Sequence, residues 1–363
     1  MLTGLQDPRN DQIAMTLVDH STRVTDGDRV VIVMREPETF PIARAVSAQC
    51  TRRGAYVQTL FYSAEMQGDI LRLGSDQQVG WVPELWHHAM EWADVCIDIR
   101  GFRNRHEYEG VSTEQLTRMR QAEGEISAMR TAHTRWTLLR VPNEAFAQQA
   151  GKSMREVSDF FYRSVLQDWD REAERYEKLR SALEGTQNVR IVAAGTDLSF
   201  STAGRRYIVD DGRINMPGGE VFTAPVEESV NGTIQFEHPG VFAGVFMEDI
   251  RLTFTDGVVT DATAASNETF LHQLLDMDDG SRRVGEFGIG TNGQMTFFTN
   301  DILYDEKILG TIHIALGRSY TECGGINQSS LHWDIVKDLR TQGTVYIDGE
   351  PAFETGVWTA VAE

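Results

Sequence analysis

The chain has 363 residues, 41% of them hydrophobic and 24% charged, with a formal net charge of −20. That length supports two domains with substantial cores. The charge argues against nucleic acid or an anionic membrane as a partner, because both would be repelled. The acidity is spread along the chain and would attract cationic substrates, such as peptides with a free amino terminus. Cys50, Cys96 and Cys323 are far apart and offer neither a disulfide framework nor a Cys-x-x-Cys clip. Residues 1–15 carry acidic and polar groups where an export segment would be apolar. No apolar run nears the roughly 20 residues that cross a bilayer. A cytoplasmic, reduced protein is expected.

In chain order, the first half alternates short apolar runs with helical patterns. Strands are predicted at 29–34 (RVVIVM), 56–61 (YVQTLF), 94–99 (DVCIDI) and 136–141 (WTLLRV), the last stopped by Pro142. Helices are predicted at 41–46 and at 86–92. Strands alternating with helices imply parallel pairing and an α/β sheet covered on both faces. Residues 35–38 (REPE) follow the first strand without a Gly-rich phosphate loop, so no dinucleotide site is expected. A long polar helix is predicted over 154–183, with Val157, Phe160, Phe161, Val165, Leu166 and Trp169 apolar and Gly185 ending it. The domain boundary is placed there: an α/β N-terminal domain with a parallel sheet over 1–185, and an α+β, mainly β domain over 186–363. In the second domain, strands are predicted at 189–192, 198–201, 221–222, 232–236 and 250–254. Asp256-Gly257 marks a hairpin turn, and a helix is predicted at 268–275.

The residues with chemical potential lie in the second half. Segment 329–336 (SSLHWDIV) reads as a strand, so His332 and Asp334 project from one face while Leu331 and Trp333 turn into packing. An imidazole and a carboxylate side by side can hold a divalent metal. Glu220 follows paired glycines in 215–225 (NMPGGEVFTAP), and Glu286 stands among three glycines in 283–290 (RVGEFGIG). Buried carboxylates are normally paired or metal-bound. His313 lies in the apolar strand 310–317 (GTIHIALG), with Glu306 seven positions before it and Tyr320 seven after. No His-Glu-x-x-His helix is present, and His87, His88, His106, His133 and His272 read as structural or surface residues. Two imidazoles and three carboxylates suffice for two divalent ions sharing a bridging carboxylate, an arrangement that polarises a carbonyl and generates hydroxide. The mixed donor set suits zinc, cobalt or manganese.

The segments 215–225, 285–292 (GEFGIGTN), 302–317 (ILYDEKILGTIHIALG) and 331–334 (LHWD), in their order and spacing, resemble the thermophilic aminopeptidase T family, metallopeptidases that include aminopeptidases S and T. Weaker similarity continues through the N-terminal half. The resemblance implies a two-domain homodimer with a cocatalytic pair of divalent metals. By position, Glu220, Glu286, His313, His332 and Asp334 would be the ligands, with Glu286 as bridge. Tyr320 would stabilise the tetrahedral intermediate through its hydroxyl, and Glu306 would serve as ligand or general base. The implied substrates are short peptides, cleaved at their amino-terminal residue. A second reading is a relative of dihydroxypyridine ring-cleaving dioxygenases, whose single iron needs only two His and one carboxylate, here His313, His332 and Asp334. Glu220 and Glu286 discriminate, since that chemistry does not require them. The third reading, a non-catalytic descendant, is disfavoured because every candidate ligand is in place.

Overall fold

A computed structural model describes residues 7–359. Residues 1–6, part of the N-terminal stretch read above as unsuited to export, lie outside the described residues. The chain forms two compact units, one built from residues up to 167 together with 212–218, the other from 168–211 and 219 onward. Among the described residues, no helix is long and apolar enough to cross a membrane. Cys50, Cys96 and Cys323 are free and buried.

The first unit holds a five-stranded sheet in the order Tyr56–Tyr62, Arg29–Arg35, Val95–Arg100, Arg135–Arg140, Asn215–Met216. Every pairing in it is parallel. Val30, Val31, Ile32 and Val33 are all buried, as are Val95, Cys96 and Ile97. Consecutive buried residues mark a strand covered on both faces. The helices Phe40–Arg52 and Glu84–Trp92 extend the predicted ones. The helix Thr113–His133 was not predicted. Its apolar positions Leu116, Met119, Ala122 and Ile126 recur every three or four residues, but Arg and Glu thin the pattern.

The single helix predicted over 154–183 is two helices, Met154–Val165 and Trp169–Leu183. Leu166 leaves the helical region at φ −91° and ψ 71°. Asp168 then caps a new helix, its carboxylate accepting from the Arg171 amide at 3.1 Å, the ordinary role of Asp at that position. The two units divide at this break rather than near residue 185. The second helix packs on the strands Ile208–Asp210 and Glu220–Thr223 through a side on which Tyr176, Leu179 and Leu183 are buried. The segment 212–218 is a second departure from a one-cut division, because its short strand completes the parallel sheet.

The second unit contains two larger antiparallel sheets. The eight-stranded one runs Val258–Thr263, Ile250–Thr255, Asn231–Phe236, Thr196–Ser201, Asn188–Ala193, Thr344–Ile347, Glu350–Glu354, Val357–Trp358. Asp256 and Gly257 both take positive φ, 49° and 80°, as a tight two-residue hairpin between twisted strands demands. The five-stranded sheet runs His332–Asp338, Thr311–Gly317, Val284–Gly290, Glu220–Thr223, Ile208–Asp210. Phe200 of the larger sheet meets Phe287 of the smaller edge to face, centroids 5.0 Å apart. The buried Lys337 donates to Gln235 O at 2.7 Å and to Ala194 O at 3.3 Å. Trp333, Ile335 and Lys337 are therefore committed to packing, and His332 and Asp334 occupy the other face.

Candidate metal centre

Register assembles the site. In the five-stranded sheet Glu286 stands opposite Ala315, and Ala315 opposite Asp334; Gly288 stands opposite His313, Gly317 opposite His332, and Gly290 opposite Glu220. Side chains directly opposite across strands share a face, so Glu220, Glu286, His313, His332 and Asp334 all project from one side. The residues between them are small for a reason. A Cβ on Gly288 would lie 1.9 Å from His313 Nε2, so any side chain there would displace the imidazole. Gly219 turns the chain into the Glu220 strand at φ +128°, where a Cβ would meet Asn292 Cβ at 2.6 Å.

The carboxylate of Glu286 lies between the two imidazoles. Its Oε1 is 3.4 Å from His313 Nε2 and its Oε2 is 3.5 Å from His332 Nε2. Glu220 Oε2 is 3.5 Å from His313 Nε2, and Asp334 Oδ2 is 3.5 Å from His332 Nε2. His332 Nδ1 lies 2.8 Å from Arg318 O, which fixes that ring with Nε2 facing the carboxylates. Donor atoms of Glu220, Glu286 and His313 fall within 4.8 Å of one another, as do those of Glu286, His332 and Asp334, and those of Glu306, His313 and Asp334. Each of these groups contains at least one glutamate. Tyr320 closes one side, its ring 5.5 Å from Phe222 and 5.3 Å from His332, centroid to centroid.

Sequence reasoning assigned no role to Asp210 or Lys307. Lys307 is 0% exposed and bonds Glu306 Oε1 directly, with Glu220 Oε1 at 3.2 Å and Asp210 Oδ2 at 3.7 Å. The adjoining turn is tied down by Asp305, whose carboxylate accepts from the Thr299 and Asn300 amides at 2.7 Å each and faces His238 Nε2 at 3.3 Å. Lys307 thus takes one oxygen of Glu220 and leaves the other turned toward His313. The signal available was a charged run, Asp305-Glu306-Lys307, set against the apolar Ile308-Leu309. Asp210 offered less, since only pairing opposite Glu220 brings it in.

Five carboxylates, those of Asp210, Glu220, Glu286, Glu306 and Asp334, converge here with one ammonium. Burial, with Asp334 and Glu220 nearby, raises Glu286 above the usual carboxylate range despite its bond to His313. Burial likewise holds Glu306 well up, against the pull of Lys307. Burial would lower His313, but Glu286 and Glu220 beside it lift the imidazole to about 10. Burial would lower Lys307 too, and Glu220, Glu306 and Asp210 outweigh it. Burial itself raises the two carboxyls, whereas an excess of nearby negative charge raises the imidazole and the ammonium. Oxygen and imidazole donors in overlapping triplets suit divalent ions.

The mainly β unit thus gathers on one side the oxygen and imidazole donors that a metal centre needs. The chain belongs to the thermophilic metalloprotease family M29, whose profile matches residues 6–358. It is 28% identical to aminopeptidase 2 of Geobacillus stearothermophilus over 68% of this chain and 71% of that one. The fold is similar to that of wild-type AmpT from Thermus thermophilus, with a TM-score of 0.84, 22% identity, and 97% and 99% of the two chains covered. It is also similar, at a TM-score of 0.64 and 16% identity over the whole of both chains, to 2,5-dihydroxypyridine dioxygenase from Pseudomonas putida KT2440.

Proposed function

We propose that the chain is a metal-dependent aminopeptidase that hydrolyses the amino-terminal residue of short peptides, with two divalent ions held by Glu220, Glu286, His313, His332 and Asp334. The observation that carries this reading is Glu286, whose two oxygens face different imidazoles at 3.4 and 3.5 Å, the disposition of a bridging ligand. Two ions bound there would polarise the scissile carbonyl and lower the pKa of the attacking water. Zinc, cobalt and manganese all suit the donors.

The protein's own groups do the rest. Lys307 holds Glu220 by one oxygen and Glu306 by another, fixing both carboxylates before substrate arrives. Glu306, as its carboxylate paired with Lys307, would act as the general base that takes the proton of the water, or as a further ligand. The Tyr320 phenol is kept protonated by partial burial and by the Glu286 and Asp334 carboxylates, so it can donate a hydrogen bond to the developing oxyanion. Surplus negative charge attracts the substrate's ammonium terminus. A homodimer and a cytoplasmic setting, both expected above, complete the proposal.

A dioxygenase built on His313, His332 and Asp334 alone is disfavoured, because among the described residues each donor group within 4.8 Å that holds one of these histidines also holds a glutamate. The test is hydrolysis of a leucine-containing dipeptide by protein stripped with a chelator and reloaded with zinc, cobalt or manganese. Activity should vanish on stripping and return on reloading. Persistence after complete removal, or aerobic ring opening of a dihydroxypyridine by the iron-loaded protein, would overturn the proposal.

A further inference from the structure

The carboxyl edge of the parallel sheet in the first unit carries a row of cations. Arg35, Arg100 and Arg140 end three adjacent strands in lateral register, and Tyr62 stands opposite Arg35 on the fourth. Like charges so placed repel, and the buried carboxylate of Asp98 sits among them. Asp98 accepts from Arg35 Nε at 2.9 Å and from Arg100 Nε at 2.9 Å, and lies 3.5 Å from an amino group of Arg130. The nearby acid Glu36 is occupied elsewhere, accepting from the Ala64 amide at 2.6 Å and the Ser63 hydroxyl at 3.3 Å. One carboxylate shared by three guanidinium groups leaves N–H donors in excess, the buried Arg130 Nε among them.

These arginines line a cavity of about 530 Å³, within the size range of small-molecule sites. It opens at the end of the strands where α/β sheets bind ligands. Its apolar wall comes from two helices, with Trp86 and Met90 on one and Ile126 on the other. A second polar group faces the same space. Glu123 accepts from the Tyr62 hydroxyl at 3.1 Å, while the Arg35 guanidinium lies 4.9 Å from the centre of the Tyr62 ring. Within one cavity the protein therefore offers guanidinium groups, an apolar wall, and a carboxylate set one phenol away from the cations.

We propose that this cavity binds a free α-amino acid with an apolar side chain. Its carboxylate meets Arg100 and Arg130, for which the planar guanidinium fork is suited. Its ammonium meets Glu123 and the Tyr62 hydroxyl, and its side chain lies against Trp86, Met90 and Ile126. Every residue of this site belongs to the first unit, and the proposed metal ligands belong to the second.

Calorimetric titration of the metal-stripped full-length chain with L-phenylalanine tests the assignment, since stripping removes the other place an amino acid could coordinate. One saturable site per chain is expected. L-Phenylalaninamide, which lacks the carboxylate, should bind at least tenfold more weakly. Glu123→Gln, a change at an exposed position, should weaken L-phenylalanine at least tenfold while leaving 3-phenylpropanoate unchanged. Trp86→Leu should weaken both ligands. The proposal is overturned if stripping abolishes L-phenylalanine binding, if the amide binds as well as the acid, if inorganic phosphate competes with equal affinity, or if Glu123→Gln has no effect.

Discussion

Gly288 carries as much information about the centre as any ligand, because the space it vacates is the space His313 fills. Gly288→Ala places a methyl group 1.9 Å from His313 Nε2, a clash the sheet can relieve only by moving the imidazole. Overpacking of this kind costs about 1–3 kcal/mol. The variant is expected to fold with a lower melting temperature and to bind divalent ions at least tenfold more weakly; unchanged metal affinity would mean that His313 is not a ligand. Tyr320 makes the opposite case. Its hydroxyl holds no metal in the proposed scheme, so Tyr320→Phe should lower kcat on the order of 10²-fold and leave metal content alone. Loss of metal from that variant would refute the role. The five proposed ligands were legible as residues because each lies in a short, Gly-rich or apolar segment where a charge is out of place. Lys307 and Asp210 were not, because their meaning comes from burial together with Glu220 and Glu306, which no local pattern encodes.

At the scale of elements, the strand reading of His332 and Asp334 holds: both lie on the strand His332–Asp338, with Leu331 and Trp333 buried. Period-two alternation is a strong signal where one face is packed. The break after Val165 was harder to read, since Val165, Leu166 and Trp169 continue an apolar stripe, and its marks are local polar bonds, Gln167 donating to Ser164 O and Asp168 capping the next helix. The parallel sheet of the first unit also makes a pH prediction. Burial would raise Asp98, but Arg100, Arg35 and Arg130 outweigh it and hold its carboxyl down to about 2. A folded-state value below the ordinary 3.8 means stabilisation that is full above about pH 4 and is lost as pH falls toward 2, worth about 2 kcal/mol. In urea unfolding, the stability advantage of the parent over Asp98→Asn should therefore shrink between pH 5 and pH 3. A gap independent of pH would show that the arginines do not stabilise the ionised form.

At the scale of the whole molecule, the parallel and antiparallel sheets expected from the two halves are both present, but the chain crosses between units more than once. Residues 212–218 return to the first unit just before Gly219 and Glu220 enter the second. A boundary read from texture misses such a return, because a two-residue strand has too few side chains to announce its partner. Part of the acidic balance of −20 is the cluster of buried carboxylates in the second unit, where the proposed cations would sit. The most direct test is the number of divalent ions bound per chain, measured by elemental analysis on the metal-loaded parent and on Glu286→Gln alongside dipeptide turnover. Two ions in the parent, and at most one in the variant with turnover lost, are the predicted result. Two ions and undiminished turnover in Glu286→Gln would contradict the shared-carboxylate centre.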